Sequence, residues 1–275
     1  MDILYSVILG IIQGLTEFLP VSSSAHLVIA PKLLKGTSEL LNSLSFAIAL
    51  HAGTLTAVIW YFREKIASMI KAFFRGITPG GGRENPDFRL GLYIIAATIP
   101  AVIAALLFEE QIEGVFRKPE YTASALIVFG LVLFAADRFS VKKNDLAGIT
   151  FKAAIIIGLF QALSLVPGVS RSGITITAAL IMGYKREGAA EFSFLLSVPA
   201  ITGAFVFGLK GLLNAGLAAG EIAAVAAGFT AAAISGFFAI KFLMAFIKKS
   251  TFLPFVIYRV MLGGVIISMA AAGVF

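Results

Sequence analysis

The amino-acid sequence predicts an all-α polytopic membrane protein: six transmembrane helices plus two re-entrant helical hairpins, arranged as an inverted-topology repeat. Three observations carry this. Of 275 residues, 59% are hydrophobic and only 13% are charged, about half the ~25% usual in soluble domains. The apolar residues fall in stretches near the ~20 residues a spanning helix needs. Two further apolar stretches are broken by proline and serine, and these two resemble each other. This composition excludes an ordinary globular domain, a disordered chain and a coiled coil.

The elements follow in order. Residues 3–35 are apolar but interrupted at Leu19-Pro20-Val21-Ser22-Ser23-Ser24. Proline breaks the helical ladder, and serines satisfy the freed backbone groups. Neither half is long enough to span, so the segment reads as a hairpin entering and leaving on one side. Spans follow at roughly 43–62, 89–108 and 121–137, each near the required length. Residues 152–184 form the second broken stretch, interrupted between Val166 and Gly173. The last spans are roughly 190–209, 221–246 and 253–275, again of membrane-crossing length. If the breaks were mere kinks in two long helices, the polar residues concentrated at both would have no explanation.

Charge sets the orientation. With the 63–89 loop cytoplasmic, that loop, 138–152, 184–191, 247–252 and their helix ends hold 15 of the 22 bases. The opposite side holds Lys32, Lys35, Arg117, Lys118 and Lys210, and Arg171 and Arg259 remain inside. This asymmetry puts both termini outside. The +7 net charge is therefore a topology signal, and no nucleic-acid partner is expected. Zero cysteines exclude disulfides, thiolate metal sites and a cysteine nucleophile. Asp2 stands where a cleavable signal would carry bases.

The two broken stretches match at an offset of 148 residues. Ile8, Gly10, Gln13, Leu15, Val21, Ser22 and Ser24 pair with Ile156, Gly158, Gln161, Leu163, Val169, Ser170 and Ser172. Ser45, Phe46 and Thr54 continue the match with Ser193, Phe194 and Thr202. Residues 1–275 thus read as a single integral membrane domain of two copies, 1–148 and 149–275. Each copy has one hairpin and an odd number of spans. The second is therefore inverted, and the two broken tips face each other near the midplane.

Ionisable residues inside a bilayer are costly and tend to be functional. Glu17, His26, Arg171 and Arg259 stand out, with His51 a weaker candidate. Across the Ser22-Ser23-Ser24 turn, a hairpin can bring His26 to Glu17. The second tip supplies Ser170, Arg171, Ser172, Gly173 and Thr175. Free N–H groups at a helix start, the helix dipole and an arginine fork favour phosphate. Two such starts facing each other make a cradle for a diphosphate. Glu17 beside it is a natural Mg²⁺ or Ca²⁺ ligand, and a single carboxylate implies that the divalent cation arrives with substrate. The simpler alternative for Arg171 is a structural counter-charge to Glu17. Arg259 reads either as such a counter-charge or as a snorkelling residue. The Gly76–Gly82 loop lacks the lysine-serine/threonine ending of a nucleotide loop and reads as a linker.

Gln13-Gly14-Leu15-Thr16-Glu17-Phe18-Leu19-Pro20-Val21-Ser22-Ser23-Ser24-Ala25-His26 closely resembles the signature of the bacterial undecaprenyl-diphosphate phosphatase family, linked to bacitracin resistance. Pro167-Gly168-Val169-Ser170-Arg171-Ser172-Gly173 resembles the second signature of that family. The resemblance continues through Glu191–Pro199 and Pro254–Arg259, in order along the chain. It implies hydrolysis of undecaprenyl diphosphate to undecaprenyl phosphate and phosphate, recycling the lipid carrier for cell-wall synthesis. It also implies a divalent cation and a bacterial inner-membrane site opening to the periplasmic face. By position, Glu17, Ser23, His26, Ser170, Arg171 and Thr175 match the family's active-site residues, with Ser22, Ser24, Ser172, Gly173 and Gln13 around the substrate. Many members have glutamate where this chain has Gln13. His26 is then the first choice as general acid/base or phosphohistidine nucleophile, with Ser23, activated by His26, as the competing nucleophile. The alternative is a lipid-phosphate flippase or anion transporter using the same residues for binding alone. Oligomeric state is left open, a homodimer included.

Overall fold

The structure is a computed structural model that describes residues 1–34, 38–78, 81–108, 118–214 and 217–273. Among these, every regular element is helical. The six long apolar helices are α3 (Leu44–Tyr61), α5 (Pro86–Leu107), α6 (Pro119–Phe139), α9 (Arg186–Asn214), α10 (Ala219–Phe246) and α11 (Leu253–Ala271). Each lies where a span is expected. The two broken stretches become pairs of short helices: α1 (Asp2–Phe18) with α2 (Ser23–Leu33), and α7 (Phe151–Ala162) with α8 (Arg171–Ile181). Two of the bases assigned to the outer face, Lys35 and Arg117, lie outside the described residues.

Local chemistry fixes the helix starts. Ser43 opens α3 by accepting from the Phe46 amide at 3.1 Å. Asn85 opens α5 by accepting from Asp87, with Pro86 as the first helical residue. Thr150 opens α7 by accepting from Ala153. Each side-chain oxygen satisfies an amide that the helix leaves unpaired.

One segment departs from expectation. Residues 63–89 are not a loop throughout, because Arg63–Gly76 forms helix α4. Ile66, Met69, Ile70 and Phe73 recur at helical spacing, opposite Glu64, Ser68, Lys71 and Arg75. That is the pattern of an interfacial amphipathic helix.

The segments expected to share the cytoplasmic side gather at one end of the bundle. Asp137, at the end of α6, accepts from Arg186 Nε at 2.6 Å and from the Phe252 amide at 2.9 Å. Lys65 meets Asp87 at 2.7 Å, and Lys185 meets Asp145 at 2.7 Å. The Asp145 carboxylate holds the Lys185 ammonium above its usual range.

Small residues hold the other seam. Helices α1 and α3 press their glycines against α10, where Gly228, Ala232 and Gly236 recur every fourth residue. A Cβ on Gly14 would collide with Ser235 Oγ and come within 2.6 Å of the Ala232 carbonyl. Lipid gives helices no hydrophobic reason to associate. Close backbone approach along such stripes therefore supplies the packing energy.

Candidate active site

The breaks end in two turns of matching shape. Ser22 precedes α2 with φ +73°, and Ser170 precedes α8 with φ +72°. Non-glycine residues rarely adopt positive φ and pay for it in strain, which collects at functional sites. Gly168, in the second turn, has φ +96°, and a Cβ there would meet the Thr122 carbonyl.

The turns touch directly. Ser172 Oγ donates to the Leu19 carbonyl at 3.1 Å, and the Gly168 amide donates to Ser24 Oγ at 3.4 Å. Ser22 and Ser24 share a 3.1 Å hydrogen bond, and Ser170 and Ser172 one of 3.3 Å. Arg259, fully buried, clamps both turns. It donates from Nη1 to Pro20 O, from Nη2 to Gly168 O and Val169 O, and from Nε to Leu126 O. Among the described residues it therefore pairs with no carboxylate, and its side chain does not snorkel to an interface. A buried guanidinium is tolerable here because four carbonyls surround it.

Glu17 sits at the centre. Ser23 Oγ donates to Glu17 Oε2 at 2.6 Å, and Arg171 Nη2 to Oε1 at 2.5 Å. Ser23 and Arg171 are the first residues of α2 and α8, so both helix N-termini converge on one carboxylate. Gln13 Nε2 also donates to Oε2 at 2.9 Å, and His51 Nε2 lies 3.7 Å from it. Two polar atoms of this cluster are buried without a partner among the described residues: Arg171 Nη1 and Gln13 Oε1. One can only donate and the other only accept.

His26 is placed differently from expectation. It contacts neither Glu17 nor Ser23 by hydrogen bond. Its Nδ1 donates to the Ser22 carbonyl at 2.7 Å, and its Nε2 lies 2.7 Å from the Tyr258 hydroxyl. The hairpin therefore brings Ser23 to Glu17, while His26 stands three residues on, about one helical turn away. Ser23 is accordingly paired with Glu17 and not with His26. Thr175 is another departure: it is fully buried, bonded to Arg171 O at 2.8 Å and to Ser193 Oγ at 2.7 Å. It ties α8 to α9 behind the arginine. Tyr258 is hidden in the sequence, where it reads as one more aromatic on an apolar helix. Only its place beside Arg259 hinted otherwise.

A family model described as bacitracin resistance protein BacA matches residues 6–265. The chain belongs to the BacA family. Among its BacA-type relatives, the undecaprenyl-diphosphatase of Geotalea daltonii is 47% identical over 264 residues, 96% of each chain. That of Pelobacter propionicus is 44% identical over 275 residues, all of this chain and 99% of its own. That of Thermobifida fusca is 40% identical over 274 residues, all of this chain and 92% of its own. This BacA-family chain, with its six spans, is a multi-pass membrane protein of bacterial type.

Proposed function

We propose that this chain is an undecaprenyl-diphosphatase, releasing undecaprenyl phosphate and inorganic phosphate, and that the Glu17–Ser23–Arg171 cluster carries the chemistry. Its full-length relatives bear that enzyme name. The observation that carries the site assignment is Arg171. One arm of its fork is held by Glu17, and the other, Nη1, is buried with nothing to bind. A pure counter-charge to Glu17 leaves that arm unexplained; a phosphate oxygen satisfies it.

The 2.6 Å Ser23–Glu17 hydrogen bond makes Ser23 the better nucleophile, because its hydroxyl already meets a carboxylate that can take its proton, whereas His26 is bonded to Ser22 and Tyr258. Ser23 Oγ attacks the terminal phosphorus and its proton passes to Glu17 Oε2. The bond to the bridging oxygen breaks, and Glu17 hands the proton to the departing lipid phosphate. Water then displaces the seryl oxygen, releasing phosphate and restoring the Ser23 hydroxyl, with His26 one turn away as its acid/base partner. Arg171 Nη1 and the first-turn amides of α2, where Ser22 makes no side-chain cap, stabilise the charge on the transferred group.

A divalent cation fits the residues in a limited way. Glu17 and the unpartnered Gln13 Oε1 offer two adjacent oxygens, and His51 Nε2 is nearby. Among the described residues no group of three or more His, Asp or Glu forms a metal cage. Glu17 and Gln13 would hold a cation brought by the diphosphate, with the other ligands from substrate and water. When bound, it neutralises diphosphate oxygens. The matched Ser22 and Ser170 turns support the inverted repeat of 1–148 and 149–275, and the charge asymmetry supports a site open to the extracytoplasmic face of the inner membrane.

The test is phosphate release from a C55 or C15 prenyl diphosphate by purified protein in detergent, with and without EDTA. Glu17→Ala, Ser23→Ala and Arg171→Ala should each lower turnover at least about a hundredfold. Release that persists in Ser23→Ala defeats the serine route. No release from folded wild-type protein, with flux in liposomes, favours the flippase or anion-transporter reading.

A further inference from the structure

Among the described residues, His26 is the candidate site residue whose side chain bonds a side chain of α11, and the tie is specific. The Ser22 carbonyl 2.7 Å from Nδ1 can only accept, so Nδ1 carries a proton. In the neutral ring Nε2 is then an acceptor. The group facing it at 2.7 Å is the Tyr258 hydroxyl, which must therefore donate. The two rings lie nearly parallel, 3° apart in plane with centroids 5.7 Å apart.

Tyr258 is itself fixed. The next residue in α11 is Arg259, whose guanidinium holds carbonyls of both turns. Any movement of Tyr258 along the helix axis would drag Arg259 off those carbonyls. Adjacent residues thus point to different faces of α11, one gripping the turns and the other gripping His26. The imidazole is set relative to Glu17, Ser23 and Arg171 by a helix from the far end of the chain, and not by α2 alone.

We propose that Tyr258 is the positioning residue of His26: the Ser22 carbonyl fixes the Nδ1–H tautomer, and the Tyr258 hydroxyl, donating to Nε2, orients the ring so that Nε2 is the basic nitrogen through which His26 exchanges protons. This rests on the reading of His26 as a site residue given above. The logic is that of any imidazole whose second nitrogen is pinned by a backbone carbonyl, which decides where the reactive lone pair points. Here the carbonyl belongs to the strained Ser22, so the same turn that presents Ser23 also fixes the tautomer.

The chain has only two histidines, so ¹⁵N-histidine labelling gives two imidazoles, and His51→Gln assigns them. In wild-type protein in detergent, His26 should show protonated Nδ1 and a hydrogen-bonded acceptor Nε2. In Tyr258→Phe, which keeps the ring and removes the hydroxyl, the Nε2 signal should move toward that of a free acceptor. Turnover should fall about five- to tenfold, the worth of one hydrogen bond, with KM within about twofold. A wild-type Nε2–H tautomer overturns the proposal without any variant. So do unchanged His26 signals and kcat in Tyr258→Phe. Near-normal turnover in His26→Gln, with the expected tautomer present, instead sinks the placement of His26 in the site and any kinetic role for Tyr258. An inactive His26→Gln with the wrong tautomer sinks the Tyr258 assignment alone.

Discussion

Ser23 and Arg171, 148 positions apart at the same point of two matching turns, hold opposite oxygens of a single carboxylate, Glu17. At the same offset, the counterpart of Glu17 is Leu165. The two matching turns therefore meet the carboxylate asymmetrically, with a hydroxyl from one tip and a guanidinium from the other.

Arg171→Lys tests the fork. A lysine keeps the charge but cannot hold Glu17 and a phosphate oxygen in one plane. Turnover should fall about a hundredfold or more while the protein stays folded, as read by kcat beside thermal unfolding in detergent.

Arg259→Met tests the clamp. It removes four hydrogen bonds to carbonyls of Pro20, Leu126, Gly168 and Val169 and leaves those buried acceptors unpaired. Loss of about 3–5 kcal/mol is expected. The signature is a lowered Tm together with lost turnover. A variant with normal Tm and no activity would give Arg259 a chemical role instead.

The equivalent glutamines make a contrasting pair. Gln13 is bonded to Glu17, four residues on, whereas Gln161 has Leu165 in that place and both its amide atoms are buried without a protein partner. Gln161→Leu should be neutral or stabilising by about 1 kcal/mol, because an unsatisfied amide is removed, and should keep its activity. Gln13→Leu should lower phosphate release and raise the cation concentration needed for half-maximal rate. Parallel titrations with Mg²⁺ and Ca²⁺ distinguish the two.

Gly14→Leu tests the seam between α1 and α10. A side chain there collides with Ser235 and with the α10 backbone at Ala232, and overpacking costs about 1–3 kcal/mol or more. Since α1 carries Glu17, activity should fall together with stability. Gly264→Leu on α11, where a Cβ meets nothing within 4 Å, should change neither.

The sequence by itself determined the six spans and the two breaks, and it brought out Glu17, Ser23 and Arg171 as candidate site residues. Span length is a direct consequence of bilayer thickness, and the serine-rich turns beside Pro20 and Pro167 end their helices, whereas Pro100 and Pro199 stay inside α5 and α9. The amphipathic α4 was legible in principle from its helical period, but its charges made it read as loop. What only the tertiary structure decided is which groups face each other. Whether Ser23 or His26 meets Glu17 depends on where α2 begins, and that is set by the strained φ of Ser22. Tyr258 reaches His26 across 232 residues of sequence, and Arg259 reaches Pro20 across 239 and Gly168 across 91. Spacing along the chain says nothing about such contacts. They follow from how α11 packs on α6, with Gly263 close against Ala123 and Ile127 and Arg259 Nε on the Leu126 carbonyl.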